Sequence, residues 1–479
     1  MALKSPCSSQ GNQEQKKKED CKKTNIKIRA ALFFDGTNNN RYNTIVRLNQ
    51  SKSVFKEVYT ANTNEKHDTS YDNFYSNISF LSQFIDINDK NDKEDKVEYD
   101  AYFPIYIEGI GTETLKGDDK FGYGLGEGDT GIEAKVTSGI NQMMSRIRGI
   151  AGAPRCELVI KKIRIDVFGF SRGAAAARHF VNEVLNSSKA MPGKRFPLKE
   201  TLIKEKYDIK DVKIGYVGIF DTVASYGLSG TKMQWSNVSD LGLDAIKHND
   251  VKKVCHIVSS DEHRKNFALT NIKSAEGKGK EIFLPGVHSD IGGSYKDEEK
   301  EKVFLHRTSI AEFTSTIEKE ISNLIDEGWF TKSDLYYKKG NRLLYEYETL
   351  KDSISASGEV YVYRRGEDGV GIRNFYSRIP LHIMKENAMD SELAFTGIDM
   401  GDDTNLNKDN VPEIIFEAYA TLRSYAKGPS SKSDWKVCSS MLAKLRRSHF
   451  HFSAQYGFTL GAYDPRYEGD IRTRKIHDG

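Results

Sequence analysis

The amino-acid sequence predicts an α/β fold, in which a mostly parallel sheet carries flanking helices and a helical or aromatic cap. Three observations predict this class. Strand-like apolar segments alternate with helical segments over residues 26–295, and such alternation requires crossover connections between parallel strands. Polar or reactive side chains directly follow several of these strands, where open α/β sheets place their functional sites. A charged and aromatic segment, residues 296–370, then interrupts the pattern, as an insertion over the sheet would.

The spacing of apolar residues predicts the individual elements. Residues 26–34 alternate in a way that is typical of a strand, and the turn residues Asp35 and Gly36 end it. Further strands are predicted at 102–108, 163–168, 212–220 and 281–284. Apolar residues three and four positions apart are typical of helices. This spacing predicts helices over 71–86, up to about Arg148, over 174–185, near 306–327 and twice within 411–452.

The chain divides into four predicted segments. Residues 1–25 are polar and lysine-rich, which is typical of a flexible tail. Residues 26–295 form the α/β core, and residues 296–370 form the cap or insertion. Residues 371–479 supply helical segments that complete the core.

The composition excludes several classes of protein. Lysine and arginine number 71 against 68 acidic residues, so the chain lacks the basic excess of a nucleic-acid-binding protein. Its five cysteines are odd in number and never spaced as Cys-x-x-Cys, which argues against a disulfide framework and a zinc site. The first residues lack the apolar core of a signal peptide. We therefore expect a protein that is cytoplasmic in its producer and that, if it leaves the cell, uses a route other than the signal-peptide pathway.

The pentapeptide Gly169-Phe170-Ser171-Arg172-Gly173 carries the clearest chemical signal. A predicted strand precedes it and an alanine-rich helix follows it, which is the context of the nucleophile in α/β-hydrolases. The two glycines permit a sharp turn that presents the hydroxyl of Ser171. The backbone N–H of Arg172 then lies at a helix N-terminus, where it favours a developing oxyanion. The alternative is an ordinary strand–turn–helix in which the serine caps the helix.

A nucleophilic serine needs a base and an acid that orients the base. Asp221 and His288 each follow a predicted strand, and they come after Ser171 in the order that α/β-hydrolases use. Asp221 could instead cap a helix, and Asp290 is the reserve acid. Four other histidines compete with His288 for the role of base. His263 lies in what resembles a charged helical turn, His256 is expected to be packed, and His449 or His451 could support the site from behind.

The loop Asp35-Gly36-Thr37-Asn38 allows two interpretations. Haloacid-dehalogenase enzymes begin with Asp-x-Asp-Gly-Thr, but Phe33 stands here in place of their nucleophilic aspartate. The preferred interpretation is a second oxyanion donor from the backbone N–H of Gly36 or Thr37. A purely structural turn remains open for the side chains. No motif of the sequence requires a metal or an organic cofactor, so we expect none.

Several segments together resemble one family, the first class of antibacterial phospholipase effectors of the type VI secretion system. The matching stretches are Phe34–Asn39, Gly109–Thr112, Gly169–Arg178, Phe220–Val223, Asp261–Arg264 and Pro285–Gly293, with a weaker match at Ile379–Met384. The resemblance implies an α/β-hydrolase domain in which Ser171, Asp221 and His288 act on glycerophospholipid esters. It also implies delivery by a secretion spike protein to a competitor's periplasm, a cognate immunity protein, and a module that approaches the membrane surface.

Two alternatives to a phospholipase follow from the residues alone. The first is a soluble esterase or a deacylase on the same fold. The second is a binding protein on an inactivated hydrolase scaffold, which would lack a triad member. The aromatic side chains of 296–370 suit a membrane interface, and they equally suit ordinary core packing.

Overall fold

The structure is a computed structural model of the chain. It describes residues 24–63, 69–92, 96–151, 158–185, 198, 202–203, 207–225, 228–229, 232–233, 238–308, 315–339, 342–345, 358–407, 409–428, 435, 437–455, 464–469 and 471–479. The predicted tail, residues 1–25, lies almost wholly outside the described residues.

A parallel sheet forms the centre of the molecule. Within the described residues its strands are β1 (Thr24–Phe34), β2 (Ala101–Ile107), β3 (Leu158–Phe170), β4 (Asp208–Ile209), β5 (Val212–Phe220), β6 (Val251–Ser259) and β7 (Gly279–Leu284). Their order across the sheet is β7-β6-β5-β3-β1-β2, and the short β4 pairs with β3. Every one of these pairings is parallel. All carboxyl ends therefore meet at one edge.

Helices cover both faces of this sheet. They are α1 (Arg41–Leu48), α2 (Ser53–Thr63), α3 (Asn77–Phe84), α4 (Lys120–Leu125), α5 (Ile132–Ala151), α6 (Arg172–Leu185), α7 (Val238–Leu241), α8 (His288–Gly292), α9 (Ser315–Asp326), α10 (Arg378–Met389), α11 (Glu413–Lys427) and α12 (Ser439–Ser448). Leu32 and Phe34 of β1 pack in one buried cluster with α5 and α6. The alternate residues Ala31 and Phe33 pack in a second cluster with α3 and α10. Burial on both faces is what a parallel sheet requires.

The predicted α/β class is confirmed, but some elements differ from the sequence prediction. The helix expected over 71–86 begins only at Asn77, because the side chain of Ser76 caps it by accepting from the N–H of Ser79. Before it, the carboxylate of Asp72 accepts from the backbone and the hydroxyl of Thr69 and holds a turn.

Strand β6 was missed by the sequence analysis. It lies between β5 and β7 and is buried over most of its length, so its side chains show no alternation of polar and apolar character. His256 lies within β6 and is fully buried, as expected for a packed histidine. Its two ring nitrogens contact the N–H of Thr222 at 3.0 Å and the carboxylate of Glu281 at 2.9 Å.

The described part of residues 296–370, the predicted cap or insertion, contains an antiparallel sheet that the sequence pattern did not predict. Its strands are β8 (Glu301–Thr308), β9 (Leu335–Lys339), β10 (Arg342–Tyr345) and β11 (Gly358–Arg364), in the order β8-β11-β9-β10. The predicted helix near 306–327 was wrong at its start, because Val303 and Leu305 alternate into the core of a strand. Trp329 and Phe330 are buried as well. These two aromatic side chains therefore serve core packing.

The last part of the chain returns to the core. Buried side chains of α10, α11 and α12 join the cluster on the Phe33 face of the sheet. Residues Ile476–His477 pair in parallel with Leu269–Thr270, the segment that follows β6. Among the helices of the described residues, none has the length and apolar character needed to cross a membrane.

Candidate active site

Ser171 occupies a strained turn between β3 and α6. Its φ of 58° lies in the left-handed region, which costs a non-glycine residue about 1–3 kcal/mol. Two backbone hydrogen bonds hold the turn: the N–H of Ser171 donates to the carbonyl of Phe220 at 3.0 Å, and the N–H of Val223 donates to the carbonyl of Ser171 at 3.3 Å. These bonds join the serine turn to the backbone on both sides of Asp221, which follows the neighbouring strand β5.

Close backbone approach explains both glycines of the pentapeptide. A Cβ on Gly169 would clash with the carbonyl oxygen of Gly173, and a Cβ on Gly173 would clash with the carbonyl oxygen of Asp35. The start of α6 thus lies directly against the loop that follows β1. A side chain at Gly173 would push α6 away from that loop, and one at Gly169 would push α6 away from the end of β3.

We expect Gly173→Ala to destabilise the protein by about 1–3 kcal/mol, the usual cost of overpacking, and to impair the site. Urea denaturation measures the change in the free energy of unfolding. The matched control is Gly149→Ala in α5, where a Cβ meets open space and should stabilise the helix by roughly 0.5–1 kcal/mol. An equal gain in stability from both substitutions would contradict the close approach.

Asp221 and His288 form a buried hydrogen-bonded pair. The Nδ1 of His288 lies 2.5 Å from Oδ2 of Asp221, and the two residues are 4% and 0% exposed. Because an ionised carboxylate only accepts, Nδ1 carries the hydrogen and Nε2 carries the lone pair of a base. No helix begins in the described residues 222–225 that follow Asp221, and the N–H of Asp221 donates to the carbonyl of Ile257 in β6.

Two aromatic rings hold the imidazole of His288. The ring centroid of Phe170 lies 4.7 Å from it, and that of Phe267 lies 5.1 Å from it at a steep angle. Burial lowers the pKa of His288 below its ordinary value, and the hydrogen bond and charge of Asp221 offset part of this effect. The imidazole is therefore neutral, and able to accept a proton, at a lower pH than an ordinary histidine.

Arg474, which no sequence pattern indicates, contacts Asp221, the predicted orienting acid. Its Nη1 and Nη2 lie 2.6 Å and 2.9 Å from the two carboxylate oxygens of Asp221. The N–H of Ser259 donates to the same carboxylate at 3.0 Å. Burial raises the pKa of Asp221, but the charge of Arg474 and the bonds from His288 and Arg474 outweigh it and hold the pKa well below its ordinary value. No short motif marks an arginine so far along the chain.

The loop after β1 lies beside the serine turn. Arg172 is the first residue of α6, and its Nε donates to the hydroxyl of Thr37 at 2.8 Å. The N–H of Gly36 donates to Oδ1 of Asp35 at 2.7 Å, so it is already engaged. Thr37 is therefore the better placed of the two predicted loop donors. Burial raises the pKa of Asp35 to about 6, against hydrogen bonds from Ser76, Tyr106 and Gly36.

Comparison with known proteins identifies a family that is similar to part of this chain. The family described as "T6SS, Phospholipase effector Tle1-like, catalytic domain" matches residues 182–316, a range that includes Asp221 and His288 and begins after Ser171. The match makes this part of the chain similar to the Tle1-like catalytic domain. The resemblance to this family that the sequence motifs indicated is thus confirmed.

One solved structure shows a fold similar to that of the whole chain. The chain is similar to the solved structure described as "Structure of the Tle1 effector bound to the VgrG spike from the Type 6 secretion system". The two sequences are 22% identical, 95% of each chain is covered, and the TM-score is 0.59. A second similar structure is an uncharacterized protein from Pseudomonas aeruginosa, with 18% identity over 87% of this chain and 53% of the other, and a TM-score of 0.38. No curated protein matches the chain.

The remaining candidate residues lie away from the pair of Asp221 and His288 and have other partners. Asp290 accepts from the backbone of Val287 at 2.9 Å and lies 2.9 Å from Nδ1 of His451, so the reserve acid pairs with another histidine. The segment around His263 forms no helix, contrary to prediction, because Glu262 binds Arg264 through both carboxylate oxygens. Among the residues that the structure describes, no cluster of histidine, cysteine and acidic side chains is arranged to hold a metal ion.

Proposed function

We propose that the protein is a serine-dependent phospholipase of the A1 or A2 type, a carboxylic ester hydrolase that acts as an antibacterial secreted effector. The bond between His288 and Asp221, beside the strained turn of Ser171, carries the proposal. Strained turns of this kind present the nucleophile of α/β-hydrolases. The Tle1-like family supports a phospholipid as the substrate.

Ser171 is the proposed nucleophile. Its hydroxyl attacks the ester carbonyl of an acyl chain while Nε2 of His288 takes the proton. The backbone N–H groups of Arg172 and Thr37 are the proposed donors to the oxyanion that forms. His288 then gives its proton to the leaving lysophospholipid alcohol, which leaves an acyl-serine.

Water completes the cycle by the same chemistry. His288 takes a proton from a water molecule, which attacks the acyl carbon and releases the fatty acid, and Ser171 recovers its proton. Asp221 keeps the proton on Nδ1 throughout and stabilises the imidazolium, without itself becoming protonated. The residues named supply each proton transfer, so the proposed mechanism involves no cofactor.

The proposed partners follow from the family. The similar Tle1 effector was solved bound to a VgrG spike, which supports a secretion spike protein as the carrier of this chain. We propose that a type VI system delivers the protein from the producer's cytoplasm to the periplasm of a target cell. There it would act at the phospholipid membrane surface, and a cognate immunity protein would protect the producer.

Vesicles of a phospholipid with different acyl chains at its two positions test the proposal. We expect release of one fatty acid and the matching lysophospholipid, identified by mass, and loss of that release after treatment with a fluorophosphonate. The acyl chain that is lost assigns the A1 or A2 type. Hydrolysis confined to short soluble esters would favour the soluble esterase, and no hydrolysis of either substrate would favour the binding protein.

A further inference from the structure

Arg474 makes more contacts around the triad than its bond to Asp221. Its Nε donates to the carbonyl of Phe267 at 2.7 Å, and its Nη1 lies 3.3 Å from the carbonyl of Ser259. The side chain is 8% exposed. One guanidinium group thus contacts the triad acid, the end of β6 and the residue whose ring packs against His288.

The backbone around Arg474 is fastened to the same region. The N–H of Leu269 donates to the carbonyl of Lys475 at 2.8 Å, and the N–H of Asn271 donates to the carbonyl of His477 at 2.9 Å. Further along, the N–H of Arg466 donates to the carbonyl of His263. Residues 464–469 and 471–479 therefore lie along the segment that connects β6 to β7, and they place Arg474, from a distant part of the chain, beside Asp221.

We propose that Arg474 is a positioning residue of the triad, which fixes the Asp221 carboxylate for His288 and couples residues 464–479 to the reactivity of Ser171. This inference rests on the proposed serine chemistry. The fork of an arginine matches a carboxylate through two parallel bonds, so it fixes the plane of the acid as well as its charge. A lysine at the same place would supply only the charge.

The charges around His288 predict the direction in which its pKa changes when Arg474 is replaced. Asp221 favours the imidazolium, and Arg474 opposes it from the far side of the carboxylate. Glu262 and Arg264, bound to each other, also face His288 and would be unchanged in a variant of Arg474. Removing the positive charge of Arg474 should therefore raise the pKa of His288, since the imidazolium loses a repulsive neighbour.

The test measures the rate at which a fluorophosphonate inactivates the full chain as a function of pH. In the unmodified protein the rate should fall on the acid side with a midpoint below about 6.5, the ordinary histidine value. In Arg474→Met we expect that midpoint to rise by about one pH unit. We also expect the plateau rate to fall roughly 10- to 100-fold, because small displacements of catalytic groups carry costs of that size.

Two further variants separate charge from geometry. Arg474→Lys should restore the midpoint and only part of the rate, and it keeps the inference testable should Arg474→Met fail to fold. Lys475→Gln is the matched control, because it removes a like charge from the exposed neighbouring side chain and should change neither quantity. A folded Arg474→Met protein with the midpoint and rate of the unmodified protein would overturn the inference.

An NMR titration of His288 in the same proteins distinguishes this failure from that of the proposed function. A chain that never reacts with the fluorophosphonate would refute the serine chemistry. The titration would still show a higher His288 pKa in Arg474→Met if the positioning role is correct. An unchanged His288 pKa alongside normal reactivity would refute only the role of Arg474.

Discussion

Ser171→Ala is expected to lower kcat for ester hydrolysis by a factor on the order of 10⁶, the loss seen when a serine hydrolase loses its nucleophile. The reason is chemical, because no other hydroxyl is held in the strained turn between β3 and α6. The fold should remain, since alanine keeps the Cβ and the two backbone bonds of the turn do not involve the hydroxyl. Fatty-acid release from phospholipid vesicles and thermal unfolding measure the two effects.

Ser260→Ala is the matched control for this prediction. Ser260 lies just beyond the end of β6, and its buried hydroxyl makes no hydrogen bond within the described residues. Removing a buried hydroxyl that lacks a partner costs little or stabilises the protein. We therefore expect full activity from Ser260→Ala. Hydrolysis by Ser171→Ala within tenfold of the unmodified protein would refute the assignment of the nucleophile.

The elements that the sequence predicted share a simple physical cause. Residues 26–34 and 212–220 are apolar segments that stop at a turn residue, and the structure places strands there. The helix after Ser171 is marked by alanines that must approach the sheet closely. Local composition determines such elements, so local patterns are enough to find them.

The elements that were missed depend on contacts between distant residues. Strand β6 is buried on both faces by its neighbours and so shows no alternation. Strand β8 pairs with β11, some fifty residues later, and a helical spacing hid that pairing. Arg474 meets Asp221 across 253 positions of sequence. A pattern within a short stretch of sequence cannot predict a contact between residues so far apart.

The sequence alone does not distinguish between the two candidate acids, and the fold is needed to choose between them. Asp221 and Asp290 both follow strands and both come after Ser171 in the sequence. In the structure each of them pairs with a histidine, Asp221 with His288 and Asp290 with His451. Only the first pair lies beside the serine turn through the backbone bonds of Phe220 and Val223. Substitution of the two acids can therefore separate their roles.

Asp221→Asn is expected to lower kcat on the order of 10⁴-fold, as the loss of the orienting carboxylate does in a serine triad. The contacts of Asp221 predict how the side chain of the asparagine is oriented. Oδ1 accepts from Ser259 and Arg474, so the amide oxygen should take that position. The NH₂ group then faces His288 and donates to Nδ1, which moves the ring proton to Nε2. His288 can no longer accept a proton from Ser171.

Asp290→Asn is the control that decides between the acids. Burial raises the pKa of Asp290 well above its ordinary value, so an amide resembles the protonated side chain and the fold should persist. We expect kcat within a few-fold of the unmodified protein, because the bonds of Asp290 go to Val287 and His451 and leave His288 untouched. Steady-state hydrolysis of a soluble ester, with thermal unfolding of each variant, measures the difference. A larger loss of kcat in Asp290→Asn than in Asp221→Asn would transfer the role of orienting acid to Asp290.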